Sequence, residues 1–520
     1  MKKISVLLAL TLMLGLTACG TSEKKAESKE EKTEVSSEDA EVVEELTIDE
    51  NVTRITLSND QILVNEEEIS EDTQSAVYKA NDIIFYLEGQ GIEYGEGTES
   101  DEHSQIEADA HTVVHITQPG TYEVNGTMEA GQIFVDLGED AEEDPNAVVN
   151  LILNNVDITC TVAPAIFFYN VYECAEITDE ENATMDVDTT AAGANLVLKD
   201  DSMNKVYGSY VAKIYESCEL NEDGTEVIDS KKLHKYDAAV YSKMSMNVLG
   251  DTGTLMIDAE NEGLDTEMHL TVQGGNIEIE SGNDGINVNE DNVSVFAMNG
   301  GNLKITVTGE TGEGDGIDSN GWLLINGGTV NTSACATSGD AGIDADKEIY
   351  INGGTVAAAG NMMAEIAGGT MTTVSFNNRE ALAGGETYEV KDADGNTVME
   401  VSPTNSFTML VVSGEEITAE GTYSLWQGDT QIAEGMAGAM GGPGMSGGMR
   451  PDGEKPEGFE GGKRGEMPED MTPPEGFEGG ERPEMPDGEM PEGMTPPEGF
   501  EGGERPEMPD GTEAPAKPES

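Results

Sequence analysis

The amino-acid sequence predicts an all-β protein whose middle part is a stack of short parallel strands, a parallel β-helix. Four phrases built on a Gly-Ile or Gly-Leu step repeat along the chain. Each phrase is followed by two short strand-like runs, and a pair of glycines separates those runs. Because one such unit cannot bury its apolar face alone, several units must stack and share one core.

The spacing of the repeats sets the size of one rung. The phrases are ENEGLDT from Glu260, GNDGINV from Gly282, EGDGIDS from Glu313 and GDAGIDA from Gly339. The second glycines of the pairs that follow them are 26, 27 and 26 residues apart: Gly275, Gly301, Gly328 and Gly354. Three short strands per ~26 residues therefore define one rung. Two earlier turns fit more loosely, with Ala165-Ile166 and Ala239-Val240 in the Gly-Ile position.

Alternation along each strand predicts which side chains face the core. The inward stack is predicted to be Leu264, Ile286, Ile317 and Ile343, and the outward column to be Asp265, Asn287, Asp318 and Asp344. The asparagines just before the glycine pairs predict a hydrogen-bonded ladder of stacked amides: Asn299, Asn326 and Asn352. A β-sandwich is the alternative architecture, but it favours strands every 8–12 residues without a rung-length repeat.

The N-terminal segment predicts a lipoprotein signal peptide over residues 1–18. Met1-Lys2-Lys3 precede an apolar run that ends at Leu16, and this run is shorter than the ~20 residues that a membrane-spanning helix needs. Leu16-Thr17-Ala18-Cys19 resembles the lipobox of bacterial lipoproteins, which implies cleavage before Cys19 and lipidation of that cysteine. We therefore expect lipid to be the sole membrane attachment, at the extracellular face of a Gram-positive-type cell.

Composition limits both the partners and the folded part of the chain. The 104 acidic and 26 basic residues give a net charge of −78, which argues against nucleic acid as a partner because binding to phosphates needs cationic contacts.

The composition of residues 19–45 predicts a disordered polar tether. Residues 436–520 hold 15 of the 19 prolines and a segment that repeats after 23 residues, and they predict a disordered tail. A cell-wall spacer and unselected low complexity are both open for this tail. The folded part is then the β-helix at 46–370 and a β-rich capping segment at 371–435.

The middle of the chain resembles a carbohydrate-binding family typified by a cellulose- and pectin-binding surface protein with a right-handed parallel β-helix. The matching pieces are ITQPGTYEVNGTMEAGQIFVDLG from Ile116, VVNLILNNVDITC from Val148, the Asp-Gly-Ile rungs and TYEVKDADGNTVMEVSP from Thr387. The resemblance implies a right-handed, single-stranded helix that binds polysaccharide and holds calcium. Two departures are Ala341, where the pattern has Asp, and the segment Cys174–Lys235, which is longer and less regular than the turns of the family.

The stacked acidic residues predict a calcium site along the rungs. Consecutive rungs lie ~4.8 Å apart, so neighbouring carboxylates repel unless they take up protons or bind a cation. Oxygen ligands suit Ca²⁺ better than Mg²⁺ or zinc. Turn chemistry alone is the alternative, because Asp and Asn favour turns with or without a metal. The candidate ligands are Glu262, Asp265, Asp284, Asn287, Asp315, Asp318, Asp340 and Asp344.

The sequence favours binding of plant cell-wall-type polysaccharide, pectin or cellulose, over catalysis. It contains no HExxH, and Arg379 is the one arginine between residues 130 and 435. We therefore predict no catalytic residue. A β-helix lyase or glycoside hydrolase is the first alternative, since a hydrolase needs two carboxylates only ~5–10 Å apart. A structural or adhesive surface protein is the second.

Two aromatic residues, Trp322 and Tyr350, are the candidates for sugar contact, because a flat ring can cover the apolar face of a pyranose. Each also fits as a packing residue at the end of a strand.

The spacing of Cys160, Cys174, Cys218 and Cys335 matches no metal motif, so these cysteines are predicted to be buried ladder residues. The sequence does not decide whether two of them form a disulfide. The sequence does not fix the oligomeric state, and we expect a monomer.

Overall fold

The computed structural model describes residues 52–419 and 421–438. Within this part the chain is all-β, as predicted, and one short helix, α1 (Gln105–Asp109), and one 3-10 turn (Ala141–Glu143) interrupt it. No helix of the described part is long and apolar enough to cross a membrane. The predicted signal peptide, the lipobox with Cys19, the tether and the tail beyond residue 438 lie outside the described residues.

The described residues form 34 strands. The strands up to residue 250 are β1 (Val52–Leu57), β2 (Leu63–Val64), β3 (Glu67–Glu68), β4 (Val77–Ala80), β5 (Thr112–Ile116), β6 (Gly120–Met128), β7 (Gly131–Asp136), β8 (Val149–Cys160), β9 (Ile166–Asn170), β10 (Ala194–Leu198), β11 (Met203–Gly208), β12 (Val211–Leu220), β13 (Val227–Tyr236), β14 (Ala238–Ser242) and β15 (Met246–Gly250). The regular repeats contribute β16 (Thr254–Ala259), β17 (Glu262–Thr266), β18 (Leu270–Val272), β19 (Asn276–Ser281), β20 (Ile286–Val288), β21 (Val295–Met298), β22 (Asn302–Val307), β23 (Ile317–Ser319), β24 (Trp322–Ile325), β25 (Thr329–Ser333), β26 (Glu348–Ile351), β27 (Thr355–Gly360) and β28 (Ile366–Gly368). The C-terminal strands are β29 (Thr373–Leu382), β30 (Tyr388–Lys391), β31 (Thr397–Val401), β32 (Phe407–Ser413), β33 (Thr422–Gln427) and β34 (Thr430–Gly438).

Three ladders of parallel strands run along the described chain. Each of the first three regular repeats contributes one strand to each ladder, and the fourth, from Gly339, contributes β26 and β27 to the second and third ladders only. The first ladder is β5, β7, β9, β14, β17, β20 and β23; the second is β1, β6, β8, β10, β15, β18, β21, β24, β26 and β28; the third is β6, β8, β11, β16, β19, β22, β25 and β27. The long strands β6 and β8 each belong to two ladders, so the second and third ladders form one large sheet.

Antiparallel strands close the two ends of the ladders. Strand β4 pairs antiparallel with β5, and β32 pairs antiparallel with β27. The sheets are therefore mixed, whereas the repeat pattern predicts parallel pairing alone. The reason is physical: a terminal rung leaves unpaired backbone N–H and C=O groups, and additional strands that satisfy them cover the edge.

The core forms where the repeats predict it. Leu264 lies opposite Ile286, and Ile286 lies opposite Ile317, and all three are fully buried. The glycine before each of these residues has a packing reason, because a Cβ on Gly263 or Gly285 would lie 2.5 or 2.6 Å from the carbonyl oxygen of the glycine in the next rung. The repeated Gly-Ile step thus lets successive backbones approach closely.

The predicted asparagine ladder is confirmed at the turn between the second and third ladders. The Asn326 side-chain amide donates to Oδ1 of Asn299 at 2.9 Å, and that of Asn352 donates to Oδ1 of Asn326 at 2.8 Å. Gln273 extends the ladder by one rung, since its Oε1 accepts from Asn299 at 3.2 Å. The second glycine of each following pair has a positive φ between 80° and 89°, which explains why glycine occupies it.

The irregular segment Cys174–Lys235 contains a regular rung and a hairpin. Strands β10 and β11 pair in parallel with neighbours on both sides, so Leu196 lies between Leu151 and Val248. The turn between these two strands, residues 199–202, lacks a glycine pair, and Asp201 takes up a positive φ of 59° instead. Because the turn uses Asp201 where the other rungs use glycine, the sequence repeat does not predict this rung. Strands β12 and β13 then form a separate antiparallel hairpin.

The C-terminal strands β29–β34 form an antiparallel cap with a hydrophobic cluster of its own. The Tyr388 and Phe407 rings pack edge to face, 5.4 Å apart, and both side chains are buried. The side-chain amide of Asn405 fastens the cap to the ladders by donating to the carbonyl oxygens of Val307 and Ala334 at 2.6 and 2.8 Å. The last strand reaches Gly438, three residues beyond the predicted end of this segment.

Candidate functional site

The outer face of the first ladder changes from aromatic to acidic along the stack. Strand register places one outward residue of each rung directly beside the next, and these residues are His115, Phe134, Phe167, Tyr241, Asp265, Asn287 and Asp318. Sequence reasoning found the acidic half of this column and missed the aromatic half. A signal was present, because GQIFVD and AIFFYN each place a phenylalanine one residue after the inward isoleucine.

Three carboxylates at the acidic end converge, and we name them the Asp315 cluster: Asp315, Asp318 and Asp344. Each offers one oxygen that lies within 4.8 Å of the oxygens of the other two. Burial and then repulsion from neighbouring carboxylates raise the pKa of Asp315 to about 8 and that of Asp318 to about 6. Burial also raises the pKa of Asp344. The arrangement therefore favours either bound protons or a bound cation.

Asp284 and Asp340 flank the Asp315 cluster and tie rungs to one another. Asp284 Oδ1 accepts the backbone N–H of Asp315 at 2.6 Å, and Asp340 Oδ2 accepts that of Gly314 at 2.7 Å. Asp315 Oδ1 accepts the N–H of Ala341 in the same way, at 2.5 Å. The turn-stabilising role is therefore real for these carboxylates, and it engages one oxygen of each. Burial raises the pKa of Asp284 to about 7.

A second group of oxygens lies buried one to two rungs earlier. Glu262 and Asn287 are 5% and 8% exposed, and the Asn287 amide donates to Glu262 Oε1 at 3.2 Å. Glu262 Oε2 and Asn287 Oδ1 have no hydrogen-bond partner among the described residues. Burial, reinforced by neighbouring carboxylates, raises the pKa of Glu262 and of the fully buried Asp265 well above their usual range. Two buried acceptors without a donor need either a proton or a cation.

The β12–β13 hairpin covers the aromatic half of the column. Its Tyr236 ring lies 4.5 Å from the Phe167 ring and 5.3 Å from the Tyr241 ring, and all three side chains are buried. These rings are therefore packed together and do not form an open platform. The hairpin also brings Lys235 beside the acidic half, where its Nζ lies 2.6 Å from Asp237 Oδ2.

The two predicted sugar-contact residues lie on the second ladder. Trp322 is 8% exposed, and the Nζ of Lys347 sits 4.7 Å from the centre of its ring. Tyr350 is more accessible, and its hydroxyl donates to Glu348 at 2.8 Å. Strand register places Tyr350 beside Leu324, two residues along β24 from Trp322, so the two rings lie on neighbouring rungs.

The two lysines of the regular repeats are both engaged. Lys304 pairs with Glu278 at 2.6 Å, Lys347 covers the Trp322 ring, and Arg379 lies on β29 in the cap. Burial lowers the pKa of Lys235, but the charge and hydrogen bond of Asp237, together with the charges of Glu262 and Asp265, outweigh it and raise the pKa. A raised pKa keeps this lysine protonated at neutral pH, which opposes a role as general base.

Four cysteines lie in the described residues, and all four are free thiols there. Cys160 and Cys335 are buried, as predicted for ladder residues, whereas Cys174 and Cys218 are partly exposed. Burial raises the pKa of Cys160 and of Cys174 to about 12. Neither thiol is therefore a thiolate at neutral pH, and neither is activated as a nucleophile.

Comparison with known proteins assigns the chain to a family. The chain belongs to the family of carbohydrate-binding domain-containing proteins, whose family profile matches residues 110–438. It is similar to a carbohydrate-binding domain-containing protein of Acetivibrio thermocellus, with 30% identity over 169 residues, which are 32% of this chain and 45% of that protein. The chain thus spans less than half the length of this relative.

Among solved structures, a polysaccharide lyase-like protein from C. thermocellum, determined as a gadolinium derivative, is similar to this chain with a TM-score of 0.33. The sequence identity is 20%, and the alignment covers 58% of this chain and 92% of that protein.

Proposed function

We propose that this protein binds acidic cell-wall polysaccharide of the pectin or polygalacturonate type without cleaving it, and that calcium assists the binding. The observation that carries this proposal is the Asp315 cluster, three carboxylates with oxygens within 4.8 Å of one another, in a chain that belongs to a carbohydrate-binding family. Cellulose is the second proposed ligand.

The donor set fits calcium. An ion at the usual ~2.4 Å from each oxygen accommodates three oxygens that lie within 4.8 Å of one another. Asp315, Asp318 and Asp344 would hold it, and Asp284 and Asp340 would contribute through the oxygens that their turn hydrogen bonds leave available. Hard oxygen ligands without nitrogen or sulfur favour Ca²⁺ over zinc.

The buried group around Glu262 is a second proposed calcium position. Glu262 Oε2 and Asn287 Oδ1 lack donors, and the neighbouring Asp265 is fully buried. A cation here would satisfy both orphaned oxygens and offset the repulsion between the two carboxylates. This position is enclosed, so we propose a stapling role for it and reserve ligand contact for the more accessible Asp315 cluster.

Calcium also resolves a conflict of sign. A chain with a net charge of −78 repels polygalacturonate, which is itself a polyanion. Calcium takes six to eight oxygen ligands, so an ion held by three carboxylates retains positions for a uronate carboxylate. The ion would then bridge protein and polymer. A neutral glucan has no such group, and its binding would rely on Tyr350 and the edge of Trp322.

The basic residues support binding over a lyase reaction. Proton abstraction from a uronate requires an unprotonated base, and Lys235, which neighbours the acidic column, is held protonated by its pairing with Asp237 at 2.6 Å. Lys304 and Lys347 are engaged elsewhere. These contacts favour the non-catalytic function that the sequence predicts.

We infer that the three ladders wind as a right-handed, single-stranded parallel β-helix. The support is the repeated order of strands: β17, β18 and β19 are followed by β20, β21 and β22, and each strand pairs in parallel with its counterpart one repeat later. A right-handed crossover is the general rule for parallel strands within one sheet. This winding keeps one face of the stack, and with it the carboxylate column, in register.

We further propose that lipidated Cys19 anchors the protein at the cell surface and that the acidic tail spaces it from the wall. The motivating feature is the lipobox at residues 16–19. The polar tether at 19–45 would then separate the binding domain from the membrane by a flexible chain.

A retention experiment tests the proposed function. The purified protein is applied to pectate, cellulose and xylan, with calcium or with chelator, and the eluate is assayed for reducing and unsaturated sugars. We expect retention on pectate in calcium, loss of that retention in chelator, and no released sugar. Asp318→Asn is expected to lose pectate retention, whereas Asp251→Asn, at an exposed carboxylate outside the column, retains it. Release of product would support an enzyme, and failure to retain any polysaccharide would favour a structural role.

A further inference from the structure

A cleft of about 440 Å³ lies on the outer side of the second ladder, separate from the carboxylate column. Its floor is made by His269 and Val293, and its walls come from residues 172–191, including Tyr172, Ile177 and Asp186. This volume is in the range of small-molecule sites in proteins.

The wall segment is held against the ladder at both ends. The Glu173 carboxylate accepts the backbone N–H and the hydroxyl of Ser245, each at 2.7 Å. At the other end, the hydroxyl of Thr189 donates to Asn247 Oδ1 at 2.8 Å. These hydrogen bonds fix the segment relative to the strands below it, so the cleft is formed in advance of any ligand.

His269 supplies one hydrogen-bond donor to this cleft. His269 is only 2% exposed to solvent. Its Nδ1 accepts the backbone N–H of Val295 at 3.1 Å, so the ring proton resides on Nε2. Burial lowers the pKa of His269 to about 4, which keeps the ring neutral. No acceptor among the described residues forms a hydrogen bond with Nε2, although His269 lines the cleft.

The charge of the cleft selects its ligand. Asp186, Asp188 and Glu176 line it and offer carboxylate oxygens as hydrogen-bond acceptors, but their negative charge repels a uronate carboxylate. Sugar hydroxyls both donate and accept, so they match carboxylate acceptors combined with one imidazole donor. Apolar surface from Tyr172, Ile177 and Val293 suits the C–H face of a pyranose.

The cleft also shares a column with a residue that sequence analysis selected for sugar contact. His269 directly precedes Leu270, which pairs with Phe296, and the neighbouring Val295 pairs with Trp322. Two rungs of ~4.8 Å therefore separate His269 from Trp322. This distance, on the order of 10 Å, is comparable to two sugar units of a β-linked chain.

We propose that the cleft binds a neutral hexopyranose unit of a glucan chain and that His269 Nε2–H donates to one of its hydroxyl oxygens. This inference rests on the proposed carbohydrate-binding function and adds a calcium-independent site to it. The carboxylates of the cleft walls accept hydrogen bonds from the remaining hydroxyls, and the chain continues toward Trp322. Neutral glucan and uronate polymer thus occupy different faces of the protein.

Titration of the full-length protein with cellotetraose in chelator tests the proposal. His269→Asn is the diagnostic variant, because its Oδ1 can still accept the Val295 N–H while the Nε2–H donor is lost. We expect its dissociation constant to rise about three- to tenfold, the loss typical of one neutral hydrogen bond. Histidine ¹⁵N spectra of the wild type provide a second readout that does not require the variant to fold. The Nε2 resonance of His269 should shift at saturating cellotetraose.

Each outcome separates this inference from the proposed function. Unchanged cellotetraose affinity in a folded His269→Asn protein, or an unshifted His269 resonance, overturns the cleft proposal. If cellotetraose does not bind but pectate retention in calcium persists, the cleft proposal is wrong and the proposed function stands. If the variant loses cellotetraose binding and keeps calcium-dependent pectate retention, two separate faces are established. If neither ligand binds, both proposals fail.

Discussion

Removing calcium should loosen the ladders, and one substitution in the Asp315 cluster should reverse this effect. In the calcium-free protein at pH 7.5, carboxylates held within 4.8 Å of one another repel. Asp318→Asn keeps the size of the side chain and removes one charge. We therefore expect this variant to be more stable than the wild type in chelator and to gain less stability from calcium.

The magnitude follows from the structure. The pKa of Asp318 is raised from 3.8 to about 6, and at ~1.36 kcal/mol per pKa unit this corresponds to at most about 3 kcal/mol of destabilisation when the group is ionised. Calcium at a hundredfold excess over its dissociation constant contributes ~2.7 kcal/mol. For ~390 folded residues the unfolding entropy is about 0.8 kcal/mol/K, so these energies correspond to about 4 °C and about 3 °C in Tm.

Calorimetric melting of wild type, Asp318→Asn and Asp251→Asn, each in calcium and in chelator, measures these shifts. The control Asp251→Asn should behave as the wild type, because Asp251 is exposed and lies outside the column. The wild-type Tm should rise by roughly 1.7 °C for each further tenfold increase in calcium. Identical wild-type transitions in calcium and in chelator would refute the reasoning. The carboxylates of the column would then only stabilise turns and would not bind calcium.

Three further predictions test other parts of the molecule. Cys19→Ala should release the protein into the medium or leave it unprocessed, as fractionation and mass spectrometry would reveal, and unchanged tight membrane retention would contradict a lipid anchor. In chelator, the stability of the protein should fall as pH rises from about 4 to about 8. The reason is that Asp284 and Asp315 have pKa values of about 7 and about 8 in the folded protein, so the folded state binds more protons than the unfolded state over this window. Denaturant titrations at several pH values test this, and a rise in stability over that window would contradict it. Gly285→Ala should cost about 1–3 kcal/mol, since its Cβ would meet the Gly316 carbonyl oxygen at 2.6 Å, whereas Gly339→Ala, with no atom within 4 Å of the new Cβ, should be neutral.

The repeat pattern determined the regular rungs because their chemistry is local. Within one rung, the glycine of the Gly-Ile step allows close approach of the backbones, and its isoleucine takes the core position. The polar residue that follows faces outward, and the glycine pair forms the turn. For this reason the inward stack at Leu264, Ile286 and Ile317 and the amide ladder from Asn299 agree with the structure. The all-β class follows from the same local signals.

Features that depend on distant segments escaped the sequence pattern. The β12–β13 hairpin carries no repeat, so neither its cover over Phe167 nor the position of Lys235 near Glu262 and Asp265 could be predicted. The cleft at His269 likewise requires residues 172–191 to return over the second ladder. Lys347 from the following rung lies over the Trp322 ring, with its Nζ 4.7 Å from the ring centre. In each of these cases, a contact between residues far apart in the sequence decides the environment.

The most direct test of the central claim is the calcium affinity of the protein with and without digalacturonate, measured by equilibrium dialysis with free calcium monitored. Coupling between two ligands is reciprocal, so a calcium ion that bridges protein and uronate must bind more tightly when the uronate is present. We predict a clear increase in calcium affinity for the wild type and none for Asp318→Asn. A wild-type calcium affinity that digalacturonate leaves unchanged would contradict the calcium bridge.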